Sequence, residues 1–187
     1  MAESAAILEV AFDCVTAWNL RHDSLESICK TLTDKQVLQQ YAKELKFTQL
    51  AIMKNPKIYC HWEYRRYILK EAYAKRDVDP EFVNNIITKE YRLCWALLDL
   101  DSRNFHCWNH RKWLSNLICA SQKDELQFTN DFRQKDPGNY SALHHRSMIL
   151  SKRWHDISPP LVFIEILDGI FIIYPSHLPL TFRLFLS

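Results

Sequence analysis

Residues 101–113 read DSRNFHCWNHRKW. Arg103, Phe105, His106, Trp108, His110, Arg111 and Trp113 fall within roughly three and a half helical turns. A metal site, a nucleic-acid groove and a packing repeat each account for such a segment. They differ in what the rest of the chain must contain. The segment has three counterparts: AFDCVTAWNLR ends at Arg21, NPKIYCHWEYR at Arg65 and DPGNYSALHHR at Arg146, beside DSRNFHCWNHR at Arg111. Each is eleven residues long with arginine last. Trp18, Trp62 and Trp108 stand three before the arginine, and Leu143 takes that slot in the fourth copy. The fifth slot holds Val15, Tyr59, Phe105 and Tyr140. Asn55, Asp101 and Asp136 open three of the copies.

The tryptophans recur at 44 and 46 residues, and Leu143 follows 35 later. Such periods belong to stacked helical hairpins. Asn-Pro or Asp-Pro ahead of two copies ends the previous helix and turns the chain. Trp and Arg at i and i+3 then share one helical face, so the indole fills the gap between hairpins. The guanidinium beside it reaches acidic groups or free carbonyls at a neighbouring turn. Between the copies lie second helices. Asp79, Pro80 and Glu81 supply a cap, a proline in the first turn and an acidic start. Phe82, Ile86, Leu93 and Leu97 keep one face apolar, as do Leu38, Tyr41 and Leu45 one repeat earlier. Ser121 and Asp124 are spaced like a capping box.

The composition agrees. Of 187 residues, 48% are hydrophobic and 25% charged, in the range of globular domains. Gly138 and Gly169 are the only glycines, too few for the turns and phosphate loops of β-sandwich or dinucleotide folds. The formal charge of +2 offers no basic stripe for nucleic acid. There is no RNA-binding signature beside the aromatics. Cys14, Cys29, Cys60, Cys94, Cys107 and Cys119 contain no C-x-x-C pair, and the N-terminus lacks a secretory pattern. Reduced, buried cysteines in a cytoplasmic protein are expected. The apolar run 161–174 is shorter than the roughly 20 residues of a membrane span and carries Glu165 and Asp168, so no span is expected.

Sharper chemistry is tested against the repeat. His106 and His110 are spaced for a shared metal, but the slot of His110 is Leu20, Tyr64 and His145 elsewhere, so no metal ligand is assigned. Arg21, Arg65, Arg111 and Arg146 read as structural ion-pair formers. Arg103 is different: its slot is Asp13, Lys57 and Gly138 in the other copies. It reads either as a ligand-facing residue at a helix start, where an anion is favoured, or as a plain solvent-exposed one.

The motifs RNFHCWNHRKW and DELQFTNDFRQKDPGNYSALHHR, with NPKIYCHWEYRRYIL and VTAWNLRHDSL, resemble the α subunit of protein prenyltransferases. The form RNFHCW is most similar to the type II, Rab geranylgeranyltransferase, α subunit. The farnesyltransferase and type I α subunit, more often KNYHAW, is the alternative, and a non-catalytic helical-repeat adaptor is a second. The resemblance spans about residues 7 to 155. It implies an all-α, right-handed superhelical array of helical hairpins wrapped around a separate β subunit. That β subunit carries the catalytic zinc, with no cofactor in this chain. The zinc holds the acceptor cysteine as thiolate. The implied reaction moves a geranylgeranyl group from geranylgeranyl diphosphate to C-terminal cysteines of Rab GTPases brought by an escort protein. Arg103 matches a basic residue near the diphosphate, Phe105 an interface aromatic, and Asn139 and Tyr140 the matching edge of the next repeat. The repeat domain is placed at 1–156, and 157–187 is a divergent apolar tail without W-x-x-R. Family members have an N-terminal extension and a further repeat, so the sequence reads as a truncated or alternatively spliced product or as an inaccurate gene model. An apolar tail is a poor cap for a solenoid.

Overall fold

The computed structural model describes residues 1–154; the expectations for 157–187 lie outside the described residues. Every regular element among the described residues is a helix: α1 (Ala2–Val10), α2 (Val15–Cys29), α3 (Asp34–Lys54), α4 (Tyr59–Ala74), α5 (Pro80–Leu100), α6 (Phe105–Leu117), α7 (Gln122–Lys135) and α8 (Tyr140–Trp154). The all-α hairpin array read from the repeats is the observed fold. The described residues fall into two compact units, the first Met1–Ser121 and the second starting at Gln122.

In the first unit α1 packs on α2, α3 on α4 and α5 on α6. The hairpins stack through α2–α4, α4–α6 and α3–α5 contacts, giving two helical layers. In the second unit α7 and α8 form one hairpin. The expected apolar faces are in place: Leu38, Tyr41 and Leu45 of α3 are buried, as are Ile86, Leu93 and Leu97 of α5. They join Trp18, Leu25, Ile68, Leu69 and Leu114 in the core. Truncating such a side chain to alanine removes about 2–5 kcal/mol.

The hairpin turns are copies of one another. In each, the amide of the fourth turn residue donates to the carbonyl of the first: Cys14 to Ala11, Ile58 to Asn55, Asn104 to Asp101 and Asn139 to Asp136. Ala11, Asn55 and Asp101 share one backbone conformation, with φ of −128, −138 and −135°. Helix starts follow the sequence signals. Asp79 Oδ1 accepts the Phe82 amide at 3.0 Å, with Pro80 in the first turn of α5. Gln36 Oε1 reaches back to the Thr33 amide at 3.0 Å to open α3. α6 ends differently. Cys119 adopts φ 51°, and Ala120 N donates to Ser115 O at 2.9 Å across it. This is the left-handed helix stop where glycine is usual.

Two expectations need correction. The six cysteines are all free, but only Cys94 and Cys107 are buried; Cys119 is exposed. The repeat arginines reach carboxylates and carbonyls as expected, but Arg21 and Arg65 find their carboxylates on a neighbouring helix rather than at a turn. They reach inside the helical layers, as described next.

Candidate functional site

Each tryptophan of the motif closes its own turn. The indole N–H donates to the carbonyl six residues earlier at 2.9 Å in all three copies: Trp18 to Phe12, Trp62 to Pro56 and Trp108 to Ser102. Phe12 O also meets His61 Nε2 at 2.9 Å. The turn is thereby tied to the first helical turn that follows it in each of these three copies.

Behind the turns runs a buried polar relay. Arg21 donates from Nε and Nη2 to Glu44 at 2.6 and 3.0 Å, and Tyr64 Oη donates to the same carboxylate at 3.1 Å. One repeat on, Arg65 donates from Nε and Nη2 to Glu90 at 2.8 and 2.6 Å, and His110 Nε2 lies 2.7 Å from Glu90. In the second unit His145 Nε2 lies 3.0 Å from Glu125. Arg65 and Arg146 each bond a helix carbonyl 20 residues back, Leu45 O at 2.6 Å and Leu126 O at 3.0 Å. Arg111 is buried and lies over the Tyr91 ring at 4.7 Å. Burial opposes ionisation of Glu90, but the Arg65 charge and the bonds from His110 and Arg65 outweigh it and hold the carboxyl at about 2. Burial pushes His110 below its usual range against the opposing pull of Glu90, so the neutral ring donates to the carboxylate.

Glu90, Cys94 and His110 bring three ligand-type atoms within 4.8 Å of one another. The donor set does not suit a cation, because both Glu90 oxygens already receive the Arg65 guanidinium. The slot of Cys94 is Thr48 and Thr129 in the neighbouring copies, which are buried as well. His106 and His110 part company: His106 meets the Tyr59 and Phe105 rings, while His110 packs on Trp62 and Trp113 inside.

The solvent side of the turns is where the named edge residues lie. Arg103 is exposed in the turn before α6, and its amide donates to Asp101 Oδ1 at 3.2 Å. Lys57, in the same slot one repeat earlier, pairs with Asp101 Oδ2 at 3.2 Å and so joins two turns. Phe105 is the first residue of α6 and is 65% exposed. Burial, with the positive charge of Arg66 and Lys57, lowers His106 beside it. In the second unit Tyr140 opens α8 and is 80% exposed. Asn139 is fully buried. Its Oδ1 accepts the Ala142 amide at 3.1 Å, the capping role Asn104 plays for Cys107 at 3.1 Å. The structure therefore gives Asn139 a helix-start role and no exposed face.

Three matches to the protein prenyltransferase alpha subunit repeat fall on this framework, at residues 41–72, 87–118 and 123–153. Each begins in the first helix of a hairpin and ends in, or one residue past, the second, covering α3/α4, α5/α6 and α7/α8. The chain belongs to the protein prenyltransferase alpha subunit repeat family. Its relatives in that family include the human geranylgeranyl transferase type-2 subunit alpha, 30% identical over 147 residues, which are 79% of this chain and 24% of the relative. The Candida albicans protein of that name is 30% identical over 151 residues, 73% of this chain and 39% of the relative. Geranylgeranyl transferase type-2 subunit alpha 2 of Arabidopsis thaliana is 30% identical over 154 residues, 79% and 22% respectively. The chain thus spans well under half the length of these relatives. Its first hairpin lies outside the three matched prenyltransferase repeats, yet Trp18 and Arg21 make the same bonds as their counterparts.

The relay glutamates Glu44, Glu90 and Glu125 were not picked out from sequence. The signal was present: each lies 20 positions before the Tyr64, His110 or His145 that bonds it. Among the described residues no helix is long and apolar enough to cross a membrane.

Proposed function

We propose that this chain acts as the α subunit of a Rab-type geranylgeranyltransferase. Paired with a β subunit, it would support transfer of geranylgeranyl from its diphosphate to C-terminal cysteines of Rab GTPases delivered by an escort protein. The observation that carries the reading is Arg103, a cation exposed at the turn that opens α6, next to exposed Phe105. It does so in a chain whose relatives carry the type-2 alpha name.

In the transfer, a cysteine sulfur forms a bond to the allylic carbon while the carbon–oxygen bond to diphosphate breaks. The leaving group takes the electron pair. Negative charge grows on its oxygens, and a positive side chain at a helix start stabilises it there. Arg103 is the residue assigned that work. Phe105 and Tyr140 present apolar surface to the β subunit, and Asn139 holds the start of α8 that displays Tyr140. Zinc on the β subunit would hold the acceptor cysteine as thiolate; no residue of this chain is assigned to it.

The test is to reconstitute the chain with type II and with farnesyl/type I β subunits and to offer each pair labelled geranylgeranyl and farnesyl diphosphates. Transfer of geranylgeranyl to Rab by the type II pair supports the proposal. Farnesyl transfer to a CaaX substrate reassigns the chain to the other subtype. Failure to bind either β subunit makes it an adaptor.

A further inference from the structure

In the first unit α3 and α5 pack on one another. The 46-residue step that relates Trp62 to Trp108 also relates their outer faces. Lys43 and Lys46 of α3 occupy the slots of Lys89 and Arg92 of α5, and all four are exposed. One turn earlier, exposed Gln39 and Asn85 share a slot as well. The carboxylates within these helices, Glu44 and Glu90, are buried and taken by Arg21 and Arg65. Along each helix, side chains at this spacing stand about 5–6 Å apart. Packed helices run roughly 8–10 Å apart. Two rows of cations in register therefore form a quadrilateral of positive charge, edged by amide donors.

The charges are unmatched. Among the described residues, none of Lys43, Lys46, Lys89 and Arg92 enters a hydrogen bond or ion pair. Cations elsewhere on the surface do pair: Lys57 with Asp101, Lys75 with Asp34 and Arg66 with Glu63. The exposed carboxylates of α3 and α5 stand near the helix ends, at Asp34, Glu81 and Asp99. The four cations precede the turns at Asn55 and Asp101 by 9 to 12 positions, or about 14–18 Å along the helices. The patch is thus distinct from the helix-start edge that carries Arg103 and Phe105. A surface made of donors takes acceptors, and charged carboxylates are the strongest of these in a polypeptide. The short length of the patch decides the class. A nucleic-acid strand or a lipid surface extends past it and meets the carboxylates at the helix ends, whereas a short acidic segment does not. In an extended chain of polyproline-II form, side chains three positions apart share a face about 9 Å apart, which matches the gap between the rows. We infer that the outer face of α3 and α5 docks a short acidic segment of a partner polypeptide, its carboxylates at i and i+3 bridging the Lys43/Lys46 and Lys89/Arg92 rows. The inference is independent of the prenyl-transfer reading, since it concerns another face of the isolated chain.

The repeat supplies a safe substitution, because the slot of Lys46 and Arg92 holds Gln127 in α7. The experiment is fluorescence anisotropy of the full chain with a fluorescein-labelled octapeptide of aspartate and glutamate. It is run at about 0.15 M salt, where screening acts over about 8 Å. An octapeptide of asparagine and glutamine and a single-stranded RNA octamer are the comparisons. The acidic peptide should bind saturably and more tightly than either. Lys43→Gln/Lys89→Gln and Lys46→Gln/Arg92→Gln should each weaken it by about threefold to tenfold, and the four substitutions together should abolish it. Lys30→Gln/Lys70→Gln, which removes as much charge from α2 and α4, should leave it unchanged, and circular dichroism should show equal helicity throughout. No saturable binding, tighter binding of the RNA, or an equal loss in the Lys30→Gln/Lys70→Gln chain would each overturn the inference.

Discussion

Glu90 of α5 receives both arms of the Arg65 guanidinium of α4, at 2.8 and 2.6 Å, with both side chains buried. The pair locks one hairpin to the next, and His110 adds a bond from α6. Replacing Arg65 with methionine keeps the length of the stem and leaves Glu90 as an unmatched buried charge. Breaking a buried pair this way removes about 3–5 kcal/mol. Urea unfolding of the Arg65→Met chain should show a loss of that size. Glu90→Gln with Arg65→Met, which removes both charges, should recover part of it. Equal losses in the single and double variants would show that the pairing itself is not what stabilises the stack.

Acid should weaken the same region in two stages. Burial lowers His61 and His110 from the usual 6.5. Below about 6.5 the unfolded chain takes up protons that the folded chain refuses, so stability falls as pH drops from 7 towards 5. The slope is up to about 1.4 kcal/mol per pH unit for each proton. Glu90 has the opposite sense of charge but the same direction. Its carboxyl is held at about 2 against 4.5, so its stabilisation is complete above 4.5 and lost as pH falls towards 2. His110→Gln should flatten the first stage. Urea midpoints measured from pH 8 to 4 that do not change with this substitution would contradict the assignment.

The end of α6 carries a correctable conformational cost. Cys119 holds φ 51°, a region that favours glycine by roughly 1 kcal/mol over residues with a Cβ. Cys119 is exposed, so its side chain has little packing to lose. Cys119→Gly should raise stability by about that amount, seen as an upward shift in thermal midpoint. Cys119→Val, β-branched in the same conformation, should lower it.

Much of this fold was legible because the repeat is written in rare residues. Tryptophan and arginine at fixed spacing stand out from a helical background, and Asn55-Pro56 and Asp136-Pro137 mark where hairpins turn. The relay was harder to see. Glu44 sits among lysines and glutamines and Glu90 between Lys89 and Tyr91, on helices that look amphipathic by hydropathy, where a buried carboxylate reads as a surface one. Only their register against Tyr64 and His110 betrays them. Asn139 is an edge residue only by its match to the family's pattern, and its burial was not legible in the sequence. A side chain that caps the next helix turns inward, whereas the first residue of that helix turns out. Arg103 was legible as the residue its repeat does not require, since its slot holds Asp13, Lys57 and Gly138 elsewhere.

For Arg103 the expectation is kinetic. In the reconstituted heterodimer Arg103→Ala should lower kcat with prenyl diphosphate by about tenfold to a hundredfold, and Arg103→Lys should restore part of it. Affinity for the β subunit should be unchanged, because the residue acts on the leaving group. Unchanged turnover in Arg103→Ala would remove the diphosphate role while leaving the fold untouched.

The most direct measurement is co-purification of the tagged chain with a type II β subunit, followed by transfer of labelled geranylgeranyl to a Rab protein in the presence of its escort. A stoichiometric complex that transfers the label, with neither subunit active alone, is the predicted result. A chain that stays helical and folded yet captures no β subunit and supports no transfer would contradict the account.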